Sequence, residues 1–292
     1  MQANSIDRFK VGRRPAQFAA SILFALLCVS FKAVSFQDET PPIIVERESQ
    51  TILSGHTNFV DGIAFSRDNK YLASAGEDSK IIIWDLSTGS EVRTLDAGGR
   101  PKSCVAFSPD GKTLAVGSRN DITLWDVSTW SLLFAFAEPL YVATSLLFTP
   151  DNNQIVSGDR SGKINVWNAS DGKLTSSFKA FAYNVEGLAL DTSGTIVVAG
   201  GMGDSLTAWN IKTGKKVYSV RAHHNGITGI AISPDGSTVA TAGIYEYSEP
   251  RLWDVYTGGK KKTLEKVNSR GHVAFSKDGR FLFDGGEEGE ID

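Results

Sequence analysis

Lys80-Ile81-Ile82-Ile83-Trp84-Asp85 decides the fold, because it ends in the first of five tryptophans that return at nearly constant spacing. Trp84, Trp125, Trp167, Trp209 and Trp253 lie 41, 42, 42 and 44 residues apart, and each is followed by Asp or Asn: Asp85, Asp126, Asn168, Asn210 and Asp254. A second marker keeps the same phase. The turn sequences Ser66-Arg67-Asp68-Asn69, Ser108-Pro109-Asp110-Gly111, Thr149-Pro150-Asp151-Asn152, Asp191-Thr192-Ser193-Gly194, Ser233-Pro234-Asp235-Gly236 and Ser276-Lys277-Asp278-Gly279 occur once per repeat. Asp, Asn and Gly at these points tolerate positive φ and Pro fixes the approach, so each turn can join two antiparallel strands.

The segments between the markers are strand-like. In the first repeat Ile63-Ala64-Phe65 precedes the turn, Tyr71-Leu72-Ala73-Ser74-Ala75 follows it, and Lys80 to Trp84 makes a third run. After Ser87-Thr88-Gly89, Glu91-Val92-Arg93-Thr94-Leu95 makes a fourth. Four short antiparallel strands in each repeat of this length describe a propeller blade. One blade cannot cover its own apolar faces, so blades must stack around an axis, and the tryptophans read as inter-blade packing.

Composition agrees with an all-β chain. Among 292 residues, 29 glycines against 9 prolines and 10% aromatics suit many short strands and tight turns. Thirty basic and 33 acidic side chains leave a formal charge of -3, which offers no broad cationic surface for nucleic acid. Cys28 and Cys104 form neither a disulfide framework nor a metal-ligand cluster, and Cys104 sits in an apolar run that reads as core.

The N-terminus reads as an address. Arg8, Lys10, Arg13 and Arg14 precede an apolar run from Phe18 to Phe31, the order of a secretory signal peptide, and Ala33-Val34-Ser35 predicts cleavage before Phe36. Residues 15–31 are also just long enough for an uncleaved membrane anchor, the alternative. The expected organisation is a signal peptide or anchor at 1–35, a linker at 36–42, and a repeat domain at 43–292. Its repeats fall near 55–95, 96–136, 137–178, 179–220, 221–264 and 265–292, the last partial.

From Ile43 to Asp292 the repeated residues resemble the WD-repeat family. The resemblance implies an all-β propeller, read here as six four-stranded blades with the last incomplete and closed by an N-terminal strand; the residue order of the N-terminus puts a signal or hydrophobic helix before it. The resemblance also implies a polar network of His, Ser or Thr, Asp and Trp in each blade, in which buried polar groups satisfy one another. The first repeat matches in full, with His56, Ser74, Asp78 and Trp84. The fifth keeps His223, Thr241 and Trp253 without a matching Asp, and the third keeps Ser157 and Trp167. The second and fourth keep little beyond Trp125 and Trp209 and are expected to rely on apolar packing. Ser49 to His56 resembles the fourth strand and loop that precede a repeat. The Phe65-to-Trp84 spacing, carried forward from Phe275, falls just beyond Asp292, which leaves a six-bladed ring with a stunted strand or part of a longer, seven-bladed one. Six blades is the preferred reading.

No catalytic constellation is legible. His56 and His223 take structural positions, while His224 and His272 lack companions at ligand spacing, so no metal is expected. Gly200-Gly201-Met202-Gly203 falls at a turn with no helix to follow, and Glu287-Glu288-Gly289-Glu290 lacks the alternation of a calcium loop. No cofactor is expected.

The resemblance implies a partner face built from the loops entering each first strand and those joining the second and third. Aligned on Phe65, it contains Phe59 and Asp61 of the first repeat, Arg100 and Ser103 of the second, and Tyr141 and Thr144 of the third. Tyr183 and Glu186 follow in the fourth, Asn225 and Thr228 in the fifth, and Arg270 in the sixth. The insertion Ile244 to Pro250 adds Tyr245 and Tyr247. The expected function is an exported, noncatalytic scaffold for protein partners, touching membrane only through its N-terminal segment. The alternatives are a propeller that binds a small molecule or glycan in its channel and, behind it, a propeller enzyme.

Overall fold

The computed structural model describes residues 34–35, 52–96, 98–136, 141–224, 226–243, 249–264 and 271–285. All regular elements among them are strands. The N-terminal strand is β1 (Val34–Ser35). The first sheet contains β2 (Val60–Phe65), β3 (Tyr71–Gly76), β4 (Lys80–Asp85) and β5 (Ser90–Asp96). The second contains β6 (Lys102–Phe107), β7 (Thr113–Ser118), β8 (Ile122–Asp126) and β9 (Leu132–Ala135). The third contains β10 (Ala143–Phe148), β11 (Gln154–Asp159), β12 (Lys163–Asn168) and β13 (Leu174–Lys179). The fourth contains β14 (Val185–Leu190), β15 (Ile196–Gly201), β16 (Ser205–Asn210) and β17 (Lys215–Arg221). The fifth contains β18 (Ile227–Ile232), β19 (Thr238–Gly243), β20 (Arg251–Asp254) and β21 (Lys260–Thr263), and β22 (His272–Phe275) and β23 (Phe281–Gly285) begin a sixth. Each of the five four-stranded sheets is an antiparallel meander in chain order.

The six turns that join first to second strands put their fourth residue in the left-handed region. The φ values are 56° at Asn69, 74° at Gly111, 62° at Asn152, 65° at Gly194, 74° at Gly236 and 70° at Gly279. The Asp of each turn braces it: Ser66, Ser108, Thr149 and Ser276 each donate a hydroxyl to the carboxylate two residues on at 2.6 Å. In the fourth repeat the order is reversed, and Ser193 donates back to Asp191 at 2.6 Å.

The middle strands are buried along almost their whole length, as in Ile81-Ile82-Ile83-Trp84 and Ile164-Asn165-Val166-Trp167. Both of their faces are covered, which explains continuous apolar runs where a one-sided sheet would alternate. Ala73, Ala75, Ile81, Ile83 and Leu95 of the first sheet share one core cluster with Val105, Leu114, Val116 and Trp125 of the second. Similar clusters join the second to the third and the third to the fourth. The innermost strands succeed one another in contact from β2 through β6, β10, β14 and β18 to β22.

The two ends of this series differ from its middle. Alternation turns Ile63 and Phe65 of β2 away from the second sheet, and they are 42% and 45% exposed, whereas Val105, Leu146 and Leu188 at the place of Ile63 are at most 7% exposed. At the other end the sixth sheet has three described strands in the order β1-β23-β22. Val34 pairs with Leu282 and Ser35 with Phe281. An N-terminal strand therefore joins the last sheet, but it consists of residues 34–35, inside the segment expected to be an address, and it lies beside the second strand. The expected cleavage before Phe36 would remove it. Of the stretch Ser49 to His56, residues 52–56 are described and are not strand. Leu53 is buried with Leu72, Ile82 and Trp84 on the outward flank of the first sheet. The apolar run 15–31, the linker 36–42 and residues 286–292 lie outside the described residues.

Candidate functional site

Each of the five complete sheets carries a β-bulge near the start of its first strand. Register shifts between Val60 and Gly62, Lys102 and Cys104, Ala143 and Ser145, Val185 and Gly187, and Ile227 and Gly229. The bulged residues are Asp61, Ser103, Thr144, Glu186 and Thr228, five of the expected partner-face positions. A bulge takes a residue out of the ladder and re-aims its side chain.

The bulges do different things. Ser103 donates its hydroxyl to the Ala143 carbonyl, and Thr144 donates to the Val185 carbonyl, each on the next sheet. These two are inter-sheet ties. The half-buried Thr228 has its hydroxyl beside Gly271 of the sixth sheet, where an added Cβ would lie 2.9 Å from Thr228 Oγ1. Asp61 stays exposed, yet its carboxyl is held above the ordinary range by partial burial and by Glu77, with Arg160 opposing. Glu186 accepts from Asn184 Nδ2 at 3.1 Å.

The loops that enter the first strands are fixed by backbone bonds from the turns between second and third strands. Glu77 N–H donates to the Phe59 carbonyl at 2.8 Å, Arg160 to Val142 at 3.0 Å and Met202 to Asn184 at 3.3 Å. Two loop families therefore share one face. On it Phe59, Tyr141 and Tyr183 are 63%, 64% and 68% exposed. Met202, also exposed, lies 3.8 Å from Asn184 Nδ2 through its sulfur. Sequence reasoning treated that turn only as a rejected phosphate loop and missed Met202. Arg100 is exposed beside Asn120. Asn225, Tyr245, Tyr247 and Arg270 lie outside the described residues.

Beneath this face the indole of each of the five repeat tryptophans finds a hydroxyl. In the first sheet Trp84 Nε1 donates to Ser74 Oγ at 2.8 Å, and Ser74 Oγ lies 2.7 Å from His56 Nε2. His56 Nδ1 is 2.9 Å from Asp78 Oδ1, so the network assigns the proton to Nδ1. Burial would raise the Asp78 carboxyl, but the Thr57 amide, His56 and the Lys80 amide hold it below the ordinary range. In the fifth sheet Trp253 donates to Thr241 at 2.9 Å and His223 Nε2 lies 2.8 Å from the same hydroxyl. Burial and the nearby Arg251 cation pull the His223 pKa down to about 4.

The remaining sheets satisfy their indoles differently. Trp167 donates to Ser157 at 2.9 Å, and a separate buried group has Asn165 donating to Asp159 at 3.0 Å and accepting from Ser177 at 2.7 Å. Trp125 donates to Thr123 at 3.0 Å and Trp209 to Thr207 at 3.1 Å. The second and fourth sheets were expected to rely more on apolar packing; their indoles nevertheless each have a hydroxyl partner, which the family pattern did not point to. Ser74 pairs across the strands with Ile82, and Thr207 pairs with Ala199, so either partner of one cross-strand pair can supply the hydroxyl. A Thr two residues before the Trp was the available signal.

The sequence carries this architecture beyond its own repeats. The family model described as WD domain, G-beta repeat matches residues 47–85 and 89–126, in phase with the first two sheets. WD repeats make up the first two sheets of this chain. A second family model, described as outer membrane protein assembly factor BamB, matches residues 109–247. The chain is 30% identical over 124 residues to the small ribosomal subunit protein RACK1y of Oryza sativa subsp. japonica, covering 40% of this chain and 37% of that protein. It is 34% identical over 120 residues to the WD repeat-containing protein WDS homolog of Arabidopsis thaliana, covering 39% and 23%. It is 37% identical over 103 residues to an uncharacterized WD repeat-containing protein of Synechocystis, covering 35% and 29%. The matched region of this WD-repeat chain thus spans well under half of each of these curated relatives.

Chemistry is sparse around the WD-repeat core. Among the described residues no group of three or more His, Cys, Asp or Glu could hold a metal ion. Cys104 is buried, and burial pushes its thiol up to about 12, so it stays a neutral core group.

Proposed function

We propose that this WD-repeat protein is a noncatalytic scaffold that holds a protein partner on the face formed by its first-strand entry loops. The observation that carries the reading is the set of Phe59, Tyr141 and Tyr183, each about two-thirds exposed, on corresponding loops of three sheets. Large aromatic groups held rigid lose little entropy on binding and supply the contact area on which interfaces depend. Asp61 and Glu186 add charge beside them. In the same reading the sheets form a six-bladed ring and the N-terminal apolar segment exports the chain; β1 completes the last blade only if that segment stays uncleaved as an anchor.

The test is affinity purification from the native cell envelope with wild type and with Phe59→Ala, Tyr141→Ala and Tyr183→Ala combined. The variant should keep its melting temperature and lose the proteins that co-purify with wild type. An unchanged set of bound proteins would overturn the assignment of this face. N-terminal sequencing of the same material distinguishes processing before Phe36 from an intact segment that anchors the chain, and a cytoplasmic protein with an intact terminus would sink the export reading.

A further inference from the structure

The outer strands of the five four-stranded sheets are not equally protected. β5 carries Glu91, Arg93 and Asp96, β13 carries Lys179, β17 carries Lys215, Lys216 and Arg221, and β21 carries Lys260, Lys261 and Lys262. β9, Leu132-Leu133-Phe134-Ala135, carries no charge. A strand at a sheet edge presents unpaired N–H and C=O groups, and charged side chains are the usual guard against pairing with another chain.

This edge is apolar as well as uncharged. Leu132 and Leu133 are 52% and 49% exposed, and Ala135 is exposed too. The bulge between the Leu124–Phe134 and Trp125–Leu132 pairs leaves Leu133 out of the ladder, so two consecutive leucines face solvent. The strand is nevertheless pinned. Phe134 stacks on Phe136 at 6.0 Å, Phe136 lies 5.3 Å from Trp167, and the Gly172 turn of the third sheet sits so close that an added Cβ would meet Phe136 at 2.8 Å. A fixed, apolar edge needs little ordering to accept a strand.

We propose that β9 is a self-association edge, on which a second copy of this chain docks antiparallel, β9 against β9. Charge selects the occupant. A two-fold contact brings the same patch of both copies together, so a strand can pair with itself only if no like charges meet. β17 and β21 would bring lysines against lysines, whereas Leu132 to Ala135 meets only apolar groups. A charged foreign strand would set its charges against Leu132 and Leu133 with nothing opposite to pair them.

The experiment is sedimentation velocity of the full chain across a wide concentration series, for wild type, Leu133→Lys and Val217→Lys. Val217 is the corresponding exposed bulge residue of β17 and serves as the control for an added surface charge. Wild type and Val217→Lys should pass from monomer to dimer with rising concentration. Leu133→Lys should self-associate about tenfold more weakly or not at all, with an unchanged melting temperature. A wild type that stays monomeric throughout, a Leu133→Lys chain that dimerises as wild type does, or equal loss in both variants overturns the proposal. So does a monomeric chain that captures a different protein through β9.

Discussion

Thr207 and Ser74 solve one problem from opposite sides of a strand pair. A buried indole N–H without an acceptor costs about 1–3 kcal/mol, so each of the five repeat tryptophans needs a hydroxyl but not one at a fixed position. Thr207→Val should lower stability by about 1–2 kcal/mol in denaturant unfolding, and adding Ala199→Ser should recover most of that loss. If the double variant is no more stable than Thr207→Val, the exchange of positions is wrong. His223 gives a pH signature of its own. With a folded-state pKa near 4, below the ordinary 6.5, it is held neutral in the fold. Its stabilisation is fully present above pH 6.5 and is lost as the pH falls toward 4, because only the unfolded chain gains the proton. The expected loss across that window is roughly 3 kcal/mol, and His223→Gln should flatten that part of the profile. The His56-Ser74-Asp78-Trp84 set could be read from residue identities; Asn165 with Asp159 could not, since neither matches the family pattern.

The inner strands share a sequence pattern but not an environment. Leu188 is buried between two sheets, whereas Ile63 at the same place in β2 is 42% exposed. Leu188→Ala should therefore cost about 2–5 kcal/mol and Ile63→Ala less than about 1 kcal/mol. Equal losses would mean that the outward face of the first sheet is covered in solution. Turns between third and fourth strands show the same dependence on neighbours. Gly172, Gly214 and Gly258 take φ values of 68°, 64° and 69° and lie against Phe136, Phe178 and Tyr218 of the preceding sheet. In the second sheet the aromatic sits on the turn itself. Trp130 takes φ 56° and meets Tyr71 edge-on at 5.4 Å. Its phase, five residues after Trp125, identifies the sixth tryptophan as a turn residue.

At the scale of the whole molecule, the pairing of β1 with β23 in the sixth sheet is open to a direct test of its contribution to stability. A chain beginning at Phe36 lacks β1 and its pairing with β23, and it should unfold at lower temperature than one beginning at Ala33. The difference expected from losing that short pairing is about 1–2 kcal/mol, and coincident thermal transitions would show that β1 contributes nothing. The sequence by itself determined the repeat length, the strands, the left-handed turn positions and the burial of the tryptophans. Those features follow from local turn chemistry and from apolar runs that must be covered. Only the tertiary structure decided which hydroxyl meets each indole, that Ser103 and Thr144 tie sheets together, that Ile63 and Phe65 stay exposed, and that Val34 and Ser35 lie beside Leu282 and Phe281. Each of these depends on which surfaces the stacking brings together from distant parts of the chain, and no local pattern encodes that meeting.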